Sequence, residues 1–118
     1  MATILYAGWD HSVMDTRTLV LQSAGHEVHH TRNENEAASA CLQRQFDVLV
    51  ICQTVTNRKK RSIATLIEKN CPNVKILEVY DHHRGKAIDE ADSWFEVPPE
   101  KPAELAEQVA RLASTQTP

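Results

Sequence analysis

The run Asp47-Val48-Leu49-Val50-Ile51-Cys52 constrains this chain more than any other stretch. It is short, rich in β-branched residues and apolar after its first position. A strand with one wet face alternates apolar and polar residues. One that is apolar throughout is covered on both faces, as at the centre of a parallel sheet flanked by helices. Thr3-Ile4-Leu5-Tyr6-Ala7, halted by Gly8, has the same character. Glu27 to Thr31 is more polar and predicts an edge strand. Val74 to Val79 predicts a fourth strand, and Trp94, Phe95 and Val97 a fifth.

Helical spacing fills the intervals between these runs. Val13, Val20, Leu21 and Ala24 recur on one helical face, with Gly25 where a helix carboxyl terminus favours it. Asn33 followed by Glu36 forms a capping-box pattern, opening a helix expected to turn Ala37, Ala38, Cys41 and Leu42 inward. A third helix carries Ile63, Leu66 and Ile67 on one face and ends at Asn70, Cys71 and Pro72. Ile88 to Ala91 predicts a short fourth. Pro102 opens the last, along which Leu105, Val109, Leu112 and Ala113 make an apolar stripe, with Glu104 and Arg111 at the ends that suit the helix dipole. Five strands, each followed by a helix, predict an α/β fold: a five-stranded parallel sheet in the flavodoxin-like order 2-1-3-4-5 with helices on both faces. One domain is expected over 1–118, with its core at about 3–113 and a frayed tail at 114–118.

Composition narrows the function. The 118 residues are 42% hydrophobic and 25% charged, which excludes a wholly disordered chain. Thirteen Lys and Arg against sixteen Asp and Glu give a net charge of −3, so no nucleic-acid partner is expected. No apolar run approaches the ~20 residues of a membrane span. Met1 to Ala7 is too short for a signal peptide and lacks a basic leader. Three cysteines, an odd number at low density, predict reduced thiols and a cytoplasmic location rather than a disulfide framework.

The pattern resembles the receiver domain of bacterial response regulators from Thr3 to Ala113. Phe46-Asp47-Val48-Leu49-Val50-Ile51-Cys52 is similar to that family's central strand. Ala24-Gly25-His26-Glu27-Val28 with Asn35-Glu36-Ala37 resembles its passage from helix to edge strand, and Pro98-Pro99 with Glu104-Leu105 its final turn and helix. The resemblance implies a signal-transduction module of the phosphorelay type. In the family, an acidic pair after the first strand holds Mg²⁺ and an aspartate at the end of the third accepts phosphate. A Thr or Ser ends the fourth strand, and a Lys before Pro ends the fifth. Here Gly8 and Trp9 stand at the acidic pair with Asp10 just after, Cys52 at the acceptor, Glu78, Val79 and Tyr80 along the end of the fourth strand, and Val97 before Pro98. A thiol cannot form an acyl phosphate, and Mg²⁺ needs hard oxygen ligands. Asp47 begins its strand, at the opposite edge of the sheet. The expectation is a stand-alone, degenerate receiver without aspartyl phosphorylation, not an enzyme, with no cofactor and no Mg²⁺. It would act through a protein partner or self-association. The family's usual partner face implies the Trp94 region and the last helix, although Trp94 packed in the core is the equal alternative.

Ligands of open parallel sheets bind at the carboxyl ends of the strands. That rim should carry Gly8, Trp9, Asp10, His11, Cys52, Gln53, Tyr80, Asp81, His82, His83 and Val97. Cys52, His11 and His82 are the candidates for a zinc site or a reactive thiolate, the basis of an alternative metal, redox or ligand sensor. No compact Cys-x-x-Cys or His-x-x-x-His spacing supports them, and the competing reading is a small buried cysteine beside solvated histidines. His26, His29 and His30 are expected on the surface of the edge strand, open to a pH-dependent contact. Arg58-Lys59-Lys60-Arg61 opens the third helix, where cations oppose the dipole. It is either an anion or partner contact, with Lys59 reaching toward the rim, or a solvated basic face. A small flavodoxin-like enzyme is a further alternative, against which stands the lack of a glycine-rich phosphate loop.

Overall fold

The computed structural model describes residues 2–8, 11–97 and 102–114, with 11–15 and Pro102 described by their backbone alone. Chain order is β1 (Thr3–Ala7), α1 (His11–Ser23), β2 (Glu27–Thr31), α2 (Glu34–Gln43), β3 (Val48–Ile51), α3 (Asn57–Asn70), β4 (Lys75–Asp81), β5 (Ser93–Val97) and α4 (Pro102–Ser114). All four strand pairs are parallel and the sheet order is β2-β1-β3-β4-β5. The step from β1 to β2 runs opposite to those from β2 to β3 and β3 to β4. Right-handed crossovers therefore put α1 on one face and α2 and α3 on the other. α4 returns to pack beside α1. β3 is buried at every position and β2 is the half-exposed edge, as the polarity of the two segments dictates.

Local chemistry sets the element ends. Gly25 adopts φ +93°, a conformation costly for residues with a Cβ. Its N–H bonds to the Gln22 carbonyl and that of His26 to Leu21, forming a Schellman cap on α1. Asn33 caps α2 by accepting from the Glu36 N–H at 2.9 Å, and the Glu36 carboxylate reaches back to the Arg32 N–H at 3.1 Å. At the amino ends of the strands, side chains accept the leading amides: Asp47 from Thr3 at 2.8 Å, Asp92 from Ile76 at 2.7 Å and His26 Nδ1 from Ala2 at 3.0 Å.

Four expectations are corrected. Ile88–Ala91 is not a helix. Glu78 accepts the Ala87 and Ile88 amides, and the Ile88 carbonyl accepts from Trp94 Nε1 at 3.2 Å, so that segment is pinned in irregular form and the chain has four helices among the described residues. Leu42 is 66% exposed because α2 presents a narrower inward stripe than spacing suggested, and Ala24 is exposed because it lies just past the end of α1. Cys41 and Cys71 are joined as a disulfide, with Cα atoms 6.3 Å apart, because the fold lays the end of α2 beside the end of α3. His26 is buried at 7% exposure rather than on the surface, held there by its bond to Ala2.

Candidate functional site

The carboxyl ends of β1, β3, β4 and β5 converge on one rim. Cys52 follows β3 directly, its amide bonded to the Ala7 carbonyl at 2.8 Å and its thiol fully buried. The group facing that thiol is Arg17. It lies on α1 one helical turn before the fully buried Leu21, so it shares the inward stripe. Arg17 is 1% exposed, and its Nη1 donates to Gln53 Oε1 at 2.5 Å, Tyr6 Oη at 3.3 Å and Cys52 Sγ at 3.4 Å. Thr54 Oγ1 also donates to the sulfur at 3.3 Å, and the thiol donates to Gln53 Oε1 at 3.2 Å. Burial holds the Tyr6 phenol well above its ordinary range; Cys52 adds to this and Arg17 opposes it, so the phenol stays neutral.

A second arginine crosses the rim. Arg84 donates Nη2 to the Gln53 carbonyl at 2.6 Å, while its Nε and backbone amide bond to the Asp81 carboxylate at 3.1 and 2.8 Å. The Arg84 amide and guanidinium hold Asp81 below the usual carboxylate range. Gln53 is thus gripped through its side chain by Arg17 and through its backbone by Arg84. Beneath the rim, Lys60 Nζ donates to Glu78 Oε2 at 2.9 Å and to the Val79 carbonyl at 2.8 Å, and this ion pair is closed to solvent.

No family model and no curated protein matches the sequence. Solved structures do match its shape. A response regulator receiver domain protein from Clostridium thermocellum superposes with a TM-score of 0.81 at 15% identity, covering 98% of this chain and 97% of that one. The receiver domain of the Francisella response regulator 1452 gives 0.82 at 16% identity over 99% and 100%. The beryllofluoride-activated NtrC4 receiver domain dimer gives the same values. This chain has the receiver fold.

Within that fold, Cys52 lies at the carboxyl end of the central strand, as sequence placed it, and Gly8, Gln53, Tyr80, Asp81 and Val97 end or follow their strands around it. Burial raises the Tyr80 phenol, with Glu96 and Glu78 adding to the shift. Trp9 and Asp10 lie outside the described residues, as do Pro98, Pro99 and the tail beyond Ser114, while His11 begins α1 with only its backbone described. His82 and His83 are exposed, His82 at 82% and 3.6 Å from Glu96, and they are not gathered with the buried Cys52 into a ligand set. Among the described residues no three His, Cys, Asp or Glu side chains come together to hold a metal. The described rim fits Mg²⁺ poorly: its carboxylate is that of Asp81, engaged by Arg84, and Cys52 is a soft thiol beside a cation.

The basic run splits. Arg58, Lys59 and Arg61 face solvent, whereas Lys60 is buried, so a solvated basic face over 58–61 does not include Lys60, and Lys60 rather than Lys59 is the one turned inward. Lys60 precedes Ile63, Ala64 and Ile67 by three, four and seven residues, so it shares their inward stripe and must find an anion there. Glu78, the acid in the otherwise apolar Ile76–Val79, was the signal for that partner. Arg17 was legible in the same way, as a charge on an apolar face. Trp94 is half-buried, with Lys86 Nζ 4.5 Å from its ring centroid and 5.7 Å from that of Tyr80. His29 and His30 stay on the surface, paired with Glu27 and Thr18, each at 2.7 Å.

Proposed function

We propose that this chain is a receiver-type signalling or protein-interaction module that works without aspartyl phosphorylation. The carrying observation is the Arg17 guanidinium bonded to the thiol at the head of β3. Phosphotransfer there needs a carboxylate nucleophile and a divalent cation beside it. This chain offers a thiol and a fixed organic cation, already hydrogen-bonded to Tyr6 and Gln53. Arg84 straps the same rim from Gln53 to Asp81, so the Asp81 carboxylate is engaged by a second fixed cation. With its switch chemistry replaced, the module acts by presenting a surface to a protein partner or to a second copy. The half-buried Trp94 and the adjacent α4 are the region for that contact, as the resemblance implies. The solved NtrC4 receiver is a dimer, which supports testing self-association first.

The test is incubation of the full chain with a small phosphodonor and Mg²⁺, followed by intact mass measurement. The expected result is an unchanged mass. One phosphoryl group mapped to an aspartate would overturn the proposal. The metal-sensor alternative gains no support from the described geometry, because Cys52 is engaged by Arg17 and Thr54 rather than by histidines.

A further inference from the structure

We propose that the Cys41–Cys71 disulfide is a reversible redox latch that fixes the carboxyl end of α2 against α3. The two cysteines lie 30 residues apart, one in the last turn of α2 and the other capping α3. The rest of α2 is weakly held. Its buried side chains are Ala37 and Cys41 alone, neither large, while Leu42 is turned out to solvent. Its amino end has independent anchors: the Asn33 cap and a 2.7 Å hydrogen bond from Ser62 Oγ to Glu34. Its carboxyl end has no such polar tie to α3 among the described residues, so the disulfide is what joins the two helices there. By contrast α3 is secured by Lys60, Ile63, Ala64 and Ile67. Opening the bond therefore releases one end of one helix and leaves the sheet and α3 in place.

The bond is also reachable. Both cysteines line an open surface cavity of about 340 Å³, with Leu42 and Phe46 on one side and Pro72 and Val74 on the other. Cys71 is half-buried and Cys41 nearly covered, so Cys71 is the more accessible partner and the proposed point of attack. The thiolate of an external dithiol attacks Cys71 Sγ, and the S–S bond breaks with its electron pair leaving on Cys41, which takes up a proton. The reductant's second thiolate then attacks the mixed disulfide and Cys71 leaves and is protonated. The dithiol is oxidised to a disulfide, and the chain gains two electrons and two protons. This site lies at the opposite end of the sheet from Cys52 and does not depend on the functional reading above.

Cys52 supplies the control, since it is a free thiol buried at 0% exposure at the other end of the sheet. The full chain is equilibrated with dithiothreitol at graded ratios of reduced to oxidised form, labelled with a thiol-alkylating reagent without denaturant, and analysed by mass and by amide hydrogen exchange. The expected result is two labels, on Cys41 and Cys71, an increase of at least tenfold in exchange across 34–43, and restoration on reoxidation. The variant Cys41→Ser should show the same raised exchange in α2 under oxidising conditions. Labelling of Cys52 at the rate of the other two, or unchanged exchange in α2 after reduction, would overturn the proposal, as would a Cys41→Ser chain protected like the oxidised parent.

Discussion

Replacing Lys60 by Met should cost this domain a large part of its stability. The ammonium is 2% exposed and its partner carboxylate 0%. Removing the cation leaves Glu78 buried, with only the Ala87 and Ile88 amides, at 2.9 Å each, to hold its charge. Breaking one side of such a pair costs about 3–5 kcal/mol. The Val79 carbonyl also loses its 2.8 Å donor. With a urea m-value of about 2 kcal/mol/M, the unfolding midpoint should fall by roughly 1.5–2.5 M at unchanged m. Glu78→Gln should cost a similar amount, because it strands the ammonium. The double variant buries no charge and keeps an amide oxygen for the 87–88 amides. It should be more stable than the sum of the singles predicts, by about 2–3 kcal/mol of coupling. Equilibrium urea unfolding of the four proteins measures this. A Lys60→Met midpoint within about 0.3 M of the parent, or strictly additive singles, would refute the claim that this pair supports the fold.

Three further outcomes follow from the geometry. Burial lowers the pKa of His26 below its ordinary 6.5, although a hydrogen bond to the Ala106 carbonyl opposes this more weakly. The unfolded chain therefore takes up the proton first on acidification. Stability from this group is full above about pH 6.5 and is lost as pH falls from there through the lower folded value; urea midpoints at pH 7.5 and 5.5 should differ more for the parent than for His26→Gln, and equal differences would contradict the assignment. Gly25→Ala should destabilise by about 1–2 kcal/mol through its φ of +93° alone, since no atom lies within 4 Å of the added Cβ; a neutral result in thermal unfolding would count against the Schellman cap. Reducing Cys41–Cys71 should lower global stability by about 3–4 kcal/mol from loop entropy over its 30-residue separation, read from urea midpoints with and without reductant, and no change would show that the bond constrains nothing.

Hydrophobic pattern carried the architecture. The uninterrupted Val48–Ile51 could only be a central strand and the polar Glu27–Thr31 only an edge, which with short right-handed connections leaves few topologies. It failed at Ile88–Ala91, where four residues are too few to separate a helix from a loop whose Ala87, Ile88 and Ala91 are buried by side-chain clamps. The disulfide was invisible because cysteines 30 apart say nothing until α2 and α3 are known to be neighbours. At the rim, matching positions found Cys52 but not what surrounds it. Arg17 gives no sign of its role when a charged residue in a helix is read as solvated, and Lys60 is named only as one member of the basic run at 58–61. Both, however, fall on apolar stripes, and each has a polar partner on an adjacent strand: Tyr6 for Arg17 and Glu78 for Lys60. A charge on a core-facing stripe implies a polar partner, and in this fold that partner stands on the strand beneath the helix.

The central claim is that the carboxyl rim of this receiver fold no longer takes up a phosphoryl group. It is tested most directly by amide NMR spectra of the full chain titrated with Mg²⁺ and beryllofluoride, a phosphoryl mimic that binds where an aspartate nucleophile and a divalent cation are both in place. The account predicts that the resonances of Gly8, Cys52, Gln53, Tyr80 and Val97 stay where they are at every concentration. Saturable shifts of those amides, requiring Mg²⁺ and beryllofluoride together, would contradict it.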